Sequence, residues 1–231
     1  MHKEIKTKKQ GYCLICYKSL FENISLHTLL FPNVLICEEC KNKFKKINHI
    51  DYINGVKVTF LYEYNQFMKD LIYQYKGCYD IVLKDVFLHE FKNKIKRKYK
   101  NHFVIFPPSN RSEDIKRGFN HIEKIIECLK LKSDYLFIKE KEVKQSSQLY
   151  KNRKEIEKII KLKNNKIIDT NKSYLIIDDI YTSGATLKTL INILLSKGVK
   201  KEQISAIIIA KTADFVELWH TIIIYINRVN H

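Results

Sequence analysis

The chain has 231 residues, 45% of them hydrophobic and 12% aromatic, which suffices for one large domain or a medium domain with a small one attached and excludes disorder as the main state. Six glycines and three prolines exclude collagen-like and low-complexity chains. Lysine and arginine number 42 against 25 acids, and the net charge of +17 favours polyanionic partners: nucleic acid, phosphorylated small molecules or an anionic membrane face.

The first ten residues, MHKEIKTKKQ, are basic, and no apolar run follows them. The longest apolar stretches, such as the IIIA ending at Ala210, fall far short of the roughly 20 residues of a membrane helix. A soluble intracellular protein without a secretory signal is expected. Next come Cys13, Cys16, Cys37 and Cys40, two C-x2-C pairs separated by twenty residues. In an intracellular chain that spacing is a zinc signature: each pair can turn two thiolates to one face, and two such knuckles complete a closed, structural site of four sulfurs. So short a segment cannot bury a core of its own, and metal would supply its folding energy. His27 and His49 are alternative ligands, although four thiolates suffice, and Cys78 and Cys128 sit at apolar helical positions expected in the core. Residues 1–50 are therefore expected to form a zinc-binding module, and 51–231 a second domain.

Residues 41–54 are polar and read as a short helix or linker. VKVTFLYEY (56–64) alternates like a strand; Gln66 to Lys76 has Phe67, Leu71, Ile72 and Tyr75 on one helical face; and a second helix is expected from Ile81 to Lys98. Strand and helix patterns then alternate: HFVIF as a strand ending at Pro107-Pro108, GFNHIEKIIECLKL as helix, YLFIK as strand, and SQLYKNRKEIEKIIKL as loop then helix. SYLII is a strand, ATLKTLINILLSKG a helix, ISAIIIA a strand, and TIIIYI a last strand near the C-terminus. Repeated βα units imply an α/β fold, a parallel sheet flanked by helices.

The stretch YLIIDDIYTSGATL carries the chemistry. A strand ends in Asp178-Asp179, and Thr182, Ser183, Gly184, Ala185 and Thr186 lead into an amphipathic helix. Ligands of open α/β sheets bind beyond the carboxyl ends of the strands. A helix N-terminus attracts anions, and small residues with hydroxyls can wrap a phosphate. Adjacent carboxylates suit a pair of sugar hydroxyls, so the ligand deduced is a sugar phosphate.

IIDDIYTSGAT resembles the phosphoribosyl-pyrophosphate (PRPP) motif of type I phosphoribosyltransferases. That resemblance implies Asp178 and Asp179 on the ribose 2′ and 3′ hydroxyls and Thr182 to Thr186 on the 5′-phosphate. The four-cysteine knuckle, YEYNQFMKDLIYQYKG, PPSNRSEDIKRGFNH and QLYKNR together are similar to the competence-protein-F family, in which a zinc-ribbon-like module precedes a phosphoribosyltransferase domain. Tyr75-Lys76-Gly77 matches its Lys-aromatic-x-Gly region; Pro108, Arg111, Arg117, Gly118, Phe119 and Asn120 match its proline–arginine–RGFN signature; Gln148 and Arg153 match a flexible-loop Gln and Arg. Gln145 stands where a Thr is usual and Ile156 where an Asn is usual, and the tail from Thr212 to His231 extends past the family's usual end. Three of the five arginines lie in these signatures, in a chain that otherwise uses Lys, and guanidinium groups make the bidentate phosphate contacts that Lys cannot. The resemblance implies a type I phosphoribosyltransferase-like sheet, with Lys76, Arg111 and Arg117 facing the pyrophosphate of PRPP, Arg153 closing over it and Mg2+ neutralising the leaving group.

The family also implies a role in natural transformation, with single-stranded DNA and a competence helicase as partners at the cytoplasmic side of the inner membrane. Two other functions fit the residues: a nucleotide-salvage or amidophosphoribosyl transferase with a small-molecule acceptor, and a non-enzymatic single-stranded-DNA module. For the latter, Tyr62, Tyr64, Tyr73, Tyr75 and Tyr79 either stack bases or pack in the core.

Overall fold

A computed structural model describes residues 11–20, 34–139 and 160–212. Arg153, Gln148, Gln145, Ile156, His27, most of the helix expected after Gln148 and the strand TIIIYI lie outside them. After the second cysteine pair and helix α1 (Glu38–Asn42), strands β1 (Lys46–Ile53) and β2 (Val56–Glu63) form a hairpin, followed by α2 (Gln66–Lys76), α3 (Lys92–Lys98) and β3 (His102–Ile105). Helices α4 (Arg111–Arg117) and α5 (His121–Ile126) come next, then β4 (Phe137–Lys139), β5 (Ile160–Leu162), β6 (Ser173–Tyr181), α6 (Ala185–Ser196) and β7 (Ile204–Lys211). The main sheet runs β1-β2-β7-β6-β3, parallel except for the antiparallel β1–β2 edge, so the expected α/β architecture is found. No helix among the described residues is long and apolar enough to cross a membrane.

The central strands are apolar on both faces because both are covered. Ile176, Ala206 and Ile208 pack with Leu187, Leu190 and Leu194 of α6. Leu175, Ile177, Ile207 and Ile209 face the opposite layer, with Leu71 and Tyr75 of α2 and Ile122 and Ile125 of α5. Cys13, Ile36, Cys40 and Phe44 belong to that same second core, and the Phe44 ring meets those of Tyr62 and Phe67 at 5.0 Å. Burial in the folded chain thus supplements what a metal would contribute to the cysteine region.

Three expectations are corrected. The segment from Lys46 to Ile53 is a strand, where a helix or linker was expected; it is an edge strand exposed along both faces and carries no apolar alternation. Its local signal is Asn54-Gly55, both at positive φ, the two-residue turn of a tight hairpin. The helix expected over Ile81–Lys98 divides into a 3-10 turn (Ile81–Asp85) and the short α3, because Val86, Phe87 and Leu88 are all buried and three consecutive residues cannot share one helical face. YLFIK contributes β4, which pairs with β5 in a separate two-stranded sheet instead of joining the main one.

Candidate functional site

Strand β6 carries Asp178 and Asp179 near its carboxyl end, opposite β7 in parallel register. Successive strand residues alternate faces. Asp179 continues the series of Leu175 and Ile177 toward α2 and α5, where it meets Lys76 and His121, and the Asp178 carboxyl lies close enough to that of Asp179 for the two to interact. Both carboxylates bend along the strand: Asp178 Oδ1 accepts the Asp179 N–H, and Asp179 Oδ1 accepts the Ile180 N–H, each at 2.9 Å. Their electrostatics diverge. Burial, then the negative charge of Asp179, hold Asp178 well above the usual carboxylate range. Burial acts on Asp179 in the same direction, but the Lys76 ammonium, helped by His121, brings it below that range. Asp178 is thus the readier of the two to carry a proton.

Beyond Tyr181, the exposed Thr182 and half-buried Ser183 lead to Gly184, which begins α6. Gly184 has φ +70°, and an added Cβ would lie 2.4 Å from the Tyr181 hydroxyl, so only glycine fits beneath that ring. Ala185 N–H donates to Ser183 Oγ at 3.4 Å, and Gly184 offers no side-chain cap. The positive end of a twelve-residue helix thus follows the end of β6.

Facing Asp179 is a cluster from α2, α4 and α5. Lys76, the last residue of α2, places Nζ 2.7 Å from Asp179 Oδ2. Arg117 ends α4 and is only 7% exposed; its Nε donates to the Lys76 carbonyl at 3.2 Å, and one terminal nitrogen lies 3.3 Å from both Asp114 Oδ1 and His121 Nδ1. His121 Nε2 is 3.6 Å from Asp179 Oδ2. Burial above all, joined by the charges of Lys76 and Arg117, lowers this imidazole to about 4 although Asp179 acts the other way, so the ring is neutral near pH 7. The RGFN run has local reasons: Gly118 ends α4 at φ +80°, and Asn120 caps α5 through the Glu123 N–H while its amide reaches Ser109 and Asp114.

Asp179, Lys76 and Arg117 come together, with Asp178 beside Asp179, and Thr182 to Thr186 form the strand–helix turn. Arg111 is exposed at the start of α4, whereas Arg117 has Nε and one terminal nitrogen bonded inside the protein. His121 and Asp114 were not among the residues expected from sequence; their signal was local, since both lie within the PPSNRSEDIKRGFNH stretch.

The four cysteines also converge. One sulfur from each of Cys13, Cys16, Cys37 and Cys40 lies within 4.8 Å of every other, and Cys16 Sγ and Cys37 Sγ are 3.7 Å apart. A disulfide would need about 2.05 Å, whereas a tetrahedral ion with metal–sulfur bonds near 2.3 Å sets sulfurs about 3.8 Å apart. Burial raises the Cys13 thiol, but N–H groups of Cys16, Cys37 and Ile15 bring it to about 7, while burial pushes Cys37 and Cys40 up. All four ionise together only against a cation. This donor set can hold a soft divalent metal; Cys78 and Cys128 stand apart from it, and Cys78 is exposed just past the end of α2 where a core position was expected, while Cys128 is half-buried.

No family model matches the chain. It is 29% identical over 216 residues to the competence protein ComFC of Bacillus subtilis, covering 80% of this chain and 89% of that one. To the competence protein ComFC of Streptococcus pneumoniae it is 28% identical over 215 residues, covering 81% and 95%. The resemblance to competence protein F thus extends along four-fifths of the chain. Among solved structures, a hypoxanthine phosphoribosyltransferase of Staphylococcus aureus aligns with a TM-score of 0.34 at 15% identity, over 57% of this chain and 73% of that one. A hypoxanthine-guanine phosphoribosyltransferase of Bacillus anthracis aligns at 0.32 and 19%, over 56% and 66%.

Proposed function

We propose that the protein binds PRPP or a related ribose phosphate and acts, as a phosphoribosyltransferase-like protein of the ComF type, in the uptake of single-stranded DNA during natural transformation. The observation that carries the reading is the juxtaposition of Asp179 with the turn through Gly184 that opens α6: a carboxylate for sugar hydroxyls beside a helix N-terminus for a phosphate. In this reading Asp178 and Asp179 take the ribose hydroxyls, and Thr182, Ser183, Gly184, Ala185 and Thr186 take the 5′-phosphate.

The pyrophosphate gives the Lys76 ammonium a second anionic partner that can draw it away from Asp179, joined by Arg111 and Arg153. Arg117 acts from behind, holding the end of α2 and the ring of His121. Mg2+ carried with the pyrophosphate would offset its charge. The four-cysteine cluster would hold zinc as a structural ion, in a module over residues 1–50 ahead of a phosphoribosyltransferase-like domain over 51–231. The names of the two relatives support the competence role, and a competence helicase at the inner face of the inner membrane is the partner this role implies.

DNA contact through a basic surface draws support from the net charge and from two tyrosines. Tyr62 and Tyr75 are buried core residues, whereas Tyr73 and Tyr79 are exposed beside the end of α2, free to meet bases. Calorimetry with PRPP and Mg2+, with ribose 5-phosphate and with single-stranded DNA tests the reading. Saturable PRPP binding is expected, lost in Asp179→Asn with its fold retained; an unchanged affinity in that variant would remove the site. Binding of DNA should fall steeply with salt.

A further inference from the structure

We propose that His121 is the positioning residue for Asp179: a neutral imidazole that links the buried Arg117 to this carboxylate and takes it over when Lys76 leaves. The inference rests on the ribose-phosphate reading only for the event that moves Lys76.

Donors and acceptors fix the tautomer of the ring. A guanidinium has no acceptor, so the terminal Arg117 nitrogen 3.3 Å from His121 Nδ1 must donate to it. With its lone pair engaged there, Nδ1 carries no proton, and in the neutral ring the proton resides on Nε2. That Nε2–H faces Asp179 Oδ2 at 3.6 Å, just beyond hydrogen-bond reach, while Lys76 Nζ holds the same oxygen at 2.7 Å. The backbone of the residue is fixed: His121 begins α5, capped by Asn120, and its carbonyl accepts from the Tyr75 hydroxyl at 2.7 Å. Facing the imidazole are Asp179 from β6, Lys76 from α2, and Arg117 and Asp114 from α4. Once Lys76 swings to an anionic ligand group, a shift of under an ångström lets Nε2–H donate to Oδ2. Asp179 then stays ionised and aimed, with its other lone pairs open to a hydroxyl.

A glutamine could copy both contacts, its oxygen accepting from Arg117 and its amide donating to Asp179; a phenylalanine keeps the volume and neither contact. Calorimetry with ribose 5-phosphate on the full chain should show His121→Phe weakened about ten-fold or more and His121→Gln within about three-fold of the parent. Equal losses in the two variants, or none in either, would overturn the assignment. Nitrogen NMR of histidine-labelled parent protein, with the His121 signal assigned through the Gln variant, should report the Nε2–H tautomer at pH 7 and a shift of that proton when ribose 5-phosphate is added. An Nδ1–H tautomer would overturn the relay in the unmutated protein, whatever the variants do. Failure of the parent to bind ribose 5-phosphate would instead count against the ribose-phosphate reading, leaving the tautomer to decide the relay.

Discussion

Lys76 Nζ lies 2.7 Å from Asp179 Oδ2, and the Lys76 carbonyl accepts from Arg117 Nε at 3.2 Å, so one residue ties the end of α2 both to the sheet and to α4. The two halves of the ion pair are not equivalent. The Asp179 side chain is 12% exposed and the Lys76 side chain 30%, so a lysine deprived of its partner can turn toward water and an aspartate cannot. Lys76→Met should therefore destabilise the protein by about 1–3 kcal/mol, and Asp179→Asn by less, while both weaken PRPP binding. Urea unfolding checks the order; a larger loss for the asparagine variant would show that the pair is not what orders this corner.

Asp178 should behave in the opposite sense to its neighbour. Burial and the charge of Asp179 raise it, so its ionised form costs stability above its folded pKa, and that cost is relieved as pH falls through it. Asp179, lowered in the folded state, contributes stability above its unfolded value that is lost as pH falls through the folded one. Asp178→Asn keeps an oxygen for the Asp179 N–H and removes the charge. At pH 7 it should gain on the order of 1 kcal/mol while losing affinity for ribose phosphate, an exchange of stability for binding that paired melting and calorimetry would detect.

What the sequence made legible was the alternation of strand and helix and the acidic pair before α6, because central strands and an amphipathic helix impose strong periodicities. What it hid has physical reasons. β1 is exposed on both faces, so its pattern KINHIDYI lacks the alternation of a half-buried strand. The depth of the Arg117 side chain is not visible in the sequence, because it depends on the carbonyl at the end of α2, forty-one residues away.

The imidazole of His121 supplies a pH signature. Its pKa falls from 6.5 to about 4 on folding, so the unfolded chain takes up a proton first as pH drops. Stability should decline between pH 6.5 and 4, by up to about 3 kcal/mol from this group. Asp178 acts the other way in the acid range, so the comparison is between proteins: the His121→Gln variant should show a shallower decline than the parent across that window in urea titrations. Parallel curves would mean that the ring is solvated.

The cysteine cluster predicts a metal-dependent fold. Cobalt added to the metal-free protein should give the intense absorption of tetrahedral thiolate coordination, lost in Cys16→Ser and Cys40→Ser and retained in Cys78→Ser and Cys128→Ser. Because Cys13, Cys40 and Phe44 share the core with Leu71 and Tyr75, a chelator should lower the melting temperature of the whole chain in one transition. A separate early transition would instead make the cysteine module thermally independent.

Gly184 is where backbone and site depend on each other most directly. At φ +70° any side chain is strained by roughly 1–2 kcal/mol, and a Cβ would also collide with the Tyr181 hydroxyl, whose ring packs edge-on to Phe60 at 5.1 Å. Gly184→Ala must displace that ring or move the start of α6 and its first N–H groups relative to the end of β6. A Tyr181→Phe change removes the nearest clashing atom but leaves the φ strain and the ring carbons at 2.6 Å, so it should restore only part of the lost stability. Gly184→Ala should lose ribose 5-phosphate affinity by more than its melting temperature alone would suggest, since the displaced groups are the phosphate donors proposed above. Retained affinity in a destabilised Gly184→Ala protein would place the phosphate elsewhere.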